Sequence, residues 1–334
     1  MAIWVWLCSW GRFLADTAAA APWFDDVADG PAPRSLWIHA SDGVRLRAAL
    51  WAGPQAARGS ILLLPGRTEY VEKYCRAAAE MAARGFATLS IDWRGQGLSD
   101  RLLPDVMSGH VDDFAEYQRD LDALVALAQA EKLPQPWFLL SHSMGGCIAL
   151  RGLMRGLDVK AAVFSAPMWG IAMAAWLRPA AQLIGTAARL IGQRHRYTPS
   201  TDRRSYVVIA PFTGNVLTTD LEMYNWMRSQ VSAHPELGLG GPSLGWLRAA
   251  MAECAELSRL PSPDLPCLTV QGTAEKIVDT GPIRLRMDRW ANGRLELVAG
   301  AEHEVMMETP ATRARFFDLA AELFNAAPGA KTPG

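Results

Sequence analysis

Charge in excess is the first thing this chain lacks: 33 lysines and arginines against 34 aspartates and glutamates leave a net charge of −1 over 334 residues. Without a lysine-rich run, that balance excludes the electrostatic footprint of a nucleic-acid binder. Cysteine is sparse as well. Cys8, Cys75, Cys147, Cys254 and Cys267 are scattered, odd in number and free of CxxC spacing. That argues against a disulfide framework or a zinc site and for reduced thiols in the cytoplasm. No HExxH and no Cys/His cluster occurs, so neither metal nor cofactor is implied. An uninterrupted membrane-crossing run is also missing, because the mostly apolar residues 168–192 are cut by Arg178 and Arg189. Residues 2–10 are apolar and an alanine patch at 18–21 loosely mimics a secretion signal, yet no basic residue precedes them and Arg12 interrupts the stretch between. Residues 1–24 therefore read as a surface extension or a short amphipathic anchor.

Apolar residues are abundant. Half the chain is hydrophobic, enough for a large core in one domain with an insertion. Residues 35–40 and 44–51 read as strands joined by Ser41-Asp42-Gly43, a strong hairpin signal. Strands follow at 60–64, 87–91, 137–140 and 161–165, alternating with helical spacing at 71–84, 114–132 and 147–154. Gly85 is a good C-cap for the first of these helices. From 167 to 260 the rhythm breaks into Trp- and Met-rich, helix-prone sequence. It then resumes with strands at 267–271 and 294–298 and helices at 283–290 and 310–325. The expectation is an α/β fold with a mostly parallel sheet flanked by helices. Residues 25–166 and 261–326 would form the core, residues 167–260 a helical cap after the sixth strand, and residues 327–334 a tail. Ligands of such sheets bind at the carboxyl edge, beneath such a cap.

The chemistry concentrates at Ser141-His142-Ser143-Met144-Gly145-Gly146. A strand runs into a serine flanked by small residues and a helix follows at once, the layout of a nucleophile elbow. Gly145 meets the need for little bulk near the apex, and Ser141 meets it less fully. A serine hydroxyl needs a base, and the base an orienting carboxylate. Elbow enzymes place these in the order serine, acid, histidine, on loops after late strands. Of six histidines only His303 follows the final strand: His39 lies in the first strand, His110 and His142 precede Ser143, and His195 and His234 fall within the cap. His142 is expected to pack beneath the turn. After the strand at 267–271, Glu275 sits where the acid normally projects, and Asp279, one turn on, is the alternative or a helix cap. Oxyanion donors are expected from the backbone of Met144 and of Arg67, in Pro65-Gly66-Arg67-Thr68-Glu69. Residues 91–99, rich in glycine after a strand, read as a turn supporting the elbow, since they match neither GxGxxG nor a P-loop.

These blocks resemble a known family. Leu64-Pro65-Gly66-Arg67-Thr68-Glu69-Tyr70, Ile91-Asp92-Trp93-Arg94-Gly95-Gln96-Gly97-Leu98-Ser99, His142-Ser143-Met144-Gly145-Gly146, Ser165-Ala166-Pro167-Met168 and Gly300-Ala301-Glu302-His303-Glu304 look like the α/β-hydrolase branch of bacterial lysophospholipases and monoacylglycerol lipases. The resemblance runs from residue 25 to 324. It implies a serine hydrolase of acyl esters with Ser143, Glu275 and His303 as triad, and Arg67 and Met144 as oxyanion donors. Three departures stand out: Pro65 where many relatives carry histidine, Ser141 for the first elbow glycine, and Glu275 for the more usual aspartate. The last leaves Asp279 open. Met168, Trp169, Met173, Trp176 and Leu177 offer apolar surface for an acyl chain, with the cap's own core as the alternative reading. An exposed version of that face would touch a membrane surface transiently. The expected partner is a small-molecule or lipid acyl ester, with no nucleic acid. Rival readings are a small-ester or peptide-type hydrolase with the same machinery and, more remotely, a non-catalytic binding protein on this fold. A dehalogenase or epoxide hydrolase would carry aspartate at the elbow.

Overall fold

The computed structural model describes residues 19–53, 58–174 and 176–329. The apolar residues 2–10, Cys8, Arg12 and residues 330–334 of the tail lie outside the described residues. One eight-stranded sheet organises the chain in the order β1-β2-β4-β3-β5-β6-β7-β8. The strands are β1 (Arg34–His39), β2 (Arg45–Trp51), β3 (Gly59–Leu64), β4 (Phe86–Ile91), β5 (Trp137–His142), β6 (Ala162–Ser165), β7 (Cys267–Gly272) and β8 (Gly293–Val298). The hairpin β1–β2 is antiparallel and joins β4 antiparallel, and every later pairing is parallel. Gly43 turns the hairpin at φ +84°, a conformation that side chains resist. Ahead of it, Ala20 bridges to Leu36 and the Ala21 N–H donates to the Ser35 carbonyl, so residues 19–21 continue the sheet edge.

The central strands are apolar on both faces because helices cover both. Leu62, Leu64 and Leu139 pack with α2 (Ala115–Ala130) and α3 (Met144–Met154). Ile61, Leu63, Phe138 and Leu140 pack with α1 (Cys75–Ala83) and α9 (Pro310–Ala326) through Met81, Phe316, Phe317 and Phe324. The predicted helix at 71–84 opens as a 3-10 turn, Val71–Tyr74, before α1, and Gly85 ends it at φ +89°.

Between β6 and β7 lie α4 (Leu177–Leu190), α5 (Tyr206–Ile209), α6 (Leu221–Ala233) and α7 (Leu244–Leu257), followed after β7 by α8 (Thr280–Met287). Asp220 and Ser243 cap α6 and α7, accepting from the Met223 and Trp246 amides. Residues of α5, α6 and α7 meet the loops that leave β3, β5, β6, β7 and β8 around one cavity, where the candidate site residues collect.

Candidate active site

Ser143 occupies the turn from β5 to α3 at φ +48°, ψ −119°, a region that costs a non-glycine residue of order 1–3 kcal/mol. The surrounding bonds impose it: the Ser143 amide donates to Ser165 O at 3.0 Å, and the Met168 and Gly146 amides donate to Ser143 O at 2.8 and 2.9 Å. A Cβ on Gly145 would lie 2.2 Å from the Leu64 carbonyl oxygen, which is why strand and helix can meet here only through glycine. Ser141 still pairs within the sheet, between Leu64 and Phe164, and its buried hydroxyl has no partner among the described residues. Met144 is the first residue of α3, so its N–H lacks an intrahelical acceptor and points out of the helix start.

His303 follows β8, past Gly300 at φ +74°. Its Nδ1 lies 2.6 Å from Glu275 Oε2. The other carboxylate oxygen, Oε1, accepts from the Ile277 and Val278 amides at 2.6 and 3.1 Å. Burial alone would raise the Glu275 pKa, but the His303 N–H and those two amides outweigh it and the net shift is downward. Asp279 faces elsewhere: Oδ1 caps α8 by accepting from Gly281 N at 3.0 Å, and Oδ2 pairs with Arg178. The geometry thus joins His303 to Glu275 and leaves Asp279 as a cap. The insertion after β6 is bonded to the His303 loop, because the His303 and Glu304 amides donate to the Val216 and Leu217 carbonyls at 3.4 and 2.8 Å.

The 91–99 segment anchors the Pro65–Glu69 loop. Trp93 Nε1 donates to Pro65 O at 2.8 Å, and Gln96 Nε2 donates to the Gly66 and Glu69 carbonyls at 2.8 and 3.1 Å. Beneath both loops lies a buried cluster that sequence reasoning missed. Glu69 accepts from the Gly66 amide, the Tyr74 hydroxyl and Lys73. Lys73 Nζ also reaches Glu304 at 2.7 Å. His142, buried under the elbow, places Nδ1 3.1 Å from the Ser165 carbonyl and Nε2 3.3 Å from Glu304. Burial opposes its charge, but Glu304 and Glu69 prevail and its pKa is raised. Glu69, His142 and Glu304 are close enough to hold a cation, and the Lys73 ammonium already bridges the two carboxylates there. The i,i+4 spacing of Glu69 and Lys73 was the one visible signal; His142 joins from the end of β5 and Glu304 from the loop after β8.

Ser143, His303 and Arg67 open into one cavity of about 380 Å³, walled by Met168, Ile171, Val207, Leu217, Met227, Val231 and Trp246. Of the predicted substrate-contacting residues, Met168 lines it. Trp169 does not: its ring stacks on Trp290 and donates to the Gly146 carbonyl at 3.2 Å, within the core. Met173, half-buried, also lies off the wall, and Trp176 is 77% exposed at the start of α4. The walls from α5, α6 and α7 carry no sequence mark that separates them from the rest of the cap.

The eight-stranded sheet with helices inserted after β6 is the architecture of an α/β-hydrolase. The sequence profile of the hydrolase family described as "Serine aminopeptidase, S33" matches residues 55–310, and the chain belongs to that family. It is 33% identical over 282 residues to lysophospholipase L2 of Escherichia coli strain K12, covering 79% of this chain and 80% of that protein. Probable lysophospholipase L2 of Haemophilus influenzae is 31% identical over 255 residues, 76% of this chain and 79% of that one. Among solved structures, a soluble variant of monoglyceride lipase from Saccharomyces cerevisiae, in complex with a substrate analogue, superposes with a TM-score of 0.71 at 19% identity. It covers 93% of this chain and 100% of that chain, and the likeness concerns the fold.

Proposed function

We propose that this chain hydrolyses the acyl ester of a single-chain lipid, a lysophospholipid or a monoacylglycerol, through an acyl-enzyme on Ser143. The observation that carries the reading is the Glu275–His303 hydrogen bond opening, together with Ser143, into an apolar cavity. Glu275 holds the proton on His303 Nδ1, leaving Nε2 to take the Ser143 proton as Oγ attacks the ester carbonyl. The amides of Arg67 and Met144 receive the oxyanion. His303 then returns the proton to the leaving alcohol, and water, activated by the same imidazole, releases the fatty acid. A cavity of this volume suits one acyl chain better than two.

The family's description names a peptidase while the curated relatives are lysophospholipases, so the leaving group, amine or alcohol, must be tested. Turnover of 1-palmitoyl lysophosphatidylcholine and 1-palmitoylglycerol is expected to exceed that of p-nitrophenyl acetate in kcat/KM, with amino-acid amides uncleaved. Faster cleavage of an amide, or of the acetate ester alone, would remove lipid esters as the substrate class.

No helix among the described residues is long and apolar enough to cross a membrane. The substrate would be met at a lipid surface through α4, whose Leu183 and Leu190 are 71% and 82% exposed, with Ile191 and Trp176 beside them. Four buried free thiols, Cys75, Cys147, Cys254 and Cys267, fit the reducing side of that surface. A Leu183→Asp/Leu190→Asp variant is expected to lose cosedimentation with phosphatidylethanolamine–phosphatidylglycerol vesicles while keeping hydrolysis of p-nitrophenyl butyrate. Undiminished cosedimentation would place the contact elsewhere.

A further inference from the structure

Among the described residues, most arginines withdrawn from solvent are held in one of two ways. Arg47 meets Glu72 and Asp92 at 2.7 and 2.8 Å, and Arg94 meets Asp42 and Asp120 at 2.8 and 2.7 Å. Arg101 and Arg286 lack acids but give their N–H groups to several backbone carbonyls. Arg67 has neither arrangement. Its Nη2 donates to the Gly240 carbonyl at 3.0 Å, its guanidinium lies 5.1 Å from the centroid of Trp246, and its buried Nε has no acceptor among the described residues. Among those residues, the only ionisable neighbours acting on it are the phenols of Tyr117 and Tyr197. Burial without a counter-charge pulls its pKa down to about 10. A cation left this way is costly, and proteins keep such a cost where a ligand supplies the missing anion.

The residue lines the cavity that holds Ser143 and His303. Its backbone amide stands at the proposed oxyanion position and its side chain reaches toward the cap. The chain from that amide nitrogen to the guanidinium carbon has as many bonds as a 1-acyl glycerophospholipid has between its ester carbonyl carbon and its phosphorus. One residue can therefore address the reacting carbonyl with its amide and the head-group phosphate with its guanidinium.

We infer that the Arg67 guanidinium is the specificity-determining group of the cavity, accepting the phosphate of a single-chain phospholipid as its counter-ion. The phosphate oxygens take the unpartnered Nε–H and an Nη–H as a forked pair, the geometry in which arginine surpasses lysine. This refinement rests on the lipid-ester reading of the same cavity and selects the phosphate-bearing substrate over the neutral monoacylglycerol.

Its test uses ether analogues that cannot be hydrolysed, so the outcome does not depend on turnover. Binding of 1-O-hexadecyl lysophosphatidylcholine and of 1-O-hexadecylglycerol is measured by tryptophan fluorescence, below the concentration at which either forms micelles. Wild type is expected to prefer the phosphate-bearing analogue. Arg67→Met should reduce that preference by about 10- to 100-fold, the range of a charge-assisted hydrogen-bonded contact. Arg67→Lys, which keeps the charge and loses the fork, should restore part of it. Equal loss for both analogues in Arg67→Met would mean that Arg67 only braces Gly240 and Trp246, and would overturn the inference. So would equal affinity of the two analogues for wild type, a result that can be read even if neither variant folds. Inorganic phosphate that displaces the ether phospholipid at micromolar concentration would assign the cation to free phosphate and overturn the head-group assignment. If the inference holds while ester turnover is absent, the lipid is bound and the catalytic reading fails; turnover without a phosphate preference separates the two the other way.

Discussion

Ser143→Ala is expected to lower ester turnover by about 10⁴-fold or more and to abolish labelling by a fluorophosphonate probe. The arrangement of the site sets the size of the effect. With the hydroxyl gone, His303 has no proton to take and no acyl-enzyme can form, while the oxyanion donors and the cavity remain. Alanine also fits the site, because the elbow is held by backbone bonds, Ser143 N to Ser165 O and Met168 N to Ser143 O, that the substitution leaves in place. The melting temperature should therefore stay within a few degrees of wild type. Alanine keeps the Cβ that crowds the backbone at φ +48°, so the strain of the elbow is carried over unchanged. A variant that folds normally and still labels would show that another residue is the nucleophile.

The second large effect separates two carboxylates. Glu275→Gln is expected to lower kcat by about 10³- to 10⁴-fold, and Asp279→Asn by no more than about threefold. A glutamine oxygen still accepts from the Ile277 and Val278 amides, so its NH₂ group turns toward His303 Nδ1. The imidazole must then accept at Nδ1 and carry its proton on Nε2, where it cannot take the Ser143 proton. Asp279→Asn keeps a side-chain oxygen for the Gly281 amide, so the α8 cap survives; only the exposed pair with Arg178 is lost, and such pairs contribute little. Equal losses of kcat would contradict the assignment. The acid limb of stability offers an independent measurement. Glu275 is held below its ordinary pKa in the folded protein. Its contribution is therefore complete above the ordinary glutamate value of about 4.3 and is lost as pH falls through the lowered folded value. Stability of Glu275→Gln, followed by denaturant titration from pH 6 to 3, should fall less steeply than that of wild type.

The central strands were readable because they are short apolar runs bounded by turn residues: residues 60–64 and 137–140, buried on both faces, admit little else. Ser143 and His303 became candidates for a related reason, since chain order leaves one histidine after the last strand, and the fold opens both into one cavity. The acid was not settled by sequence. Glu275 and Asp279 both follow β7, and what divides them is direction, with the Ile277 and Val278 amides turning one inward and Gly281 and Arg178 drawing the other outward. The cap misled for a similar cause. Trp169, Met173 and Trp176 follow β6 closely in sequence, yet proximity along the chain says nothing of which face a loop presents. Much of the wall comes instead from helices far further along the chain, through Val207, Met227, Val231 and Trp246. The Lys73 cluster escaped notice because its charges arrive from three segments distant in the chain, residues 69–73, the end of β5 and the loop after β8, and balance only once the chain is folded.

The bonds from the His303 and Glu304 amides to the Val216 and Leu217 carbonyls carry a consequence for how such proteins diverge. An insertion whose backbone holds the His303 loop is not an interchangeable module. Grafting the insertion of a relative onto this core would bring new cavity walls and also a new support for the imidazole. Recombination that keeps activity should therefore place its crossover points so that residues 216–217 and 303–304 travel together, although the whole of β7, α8 and β8 lies between them.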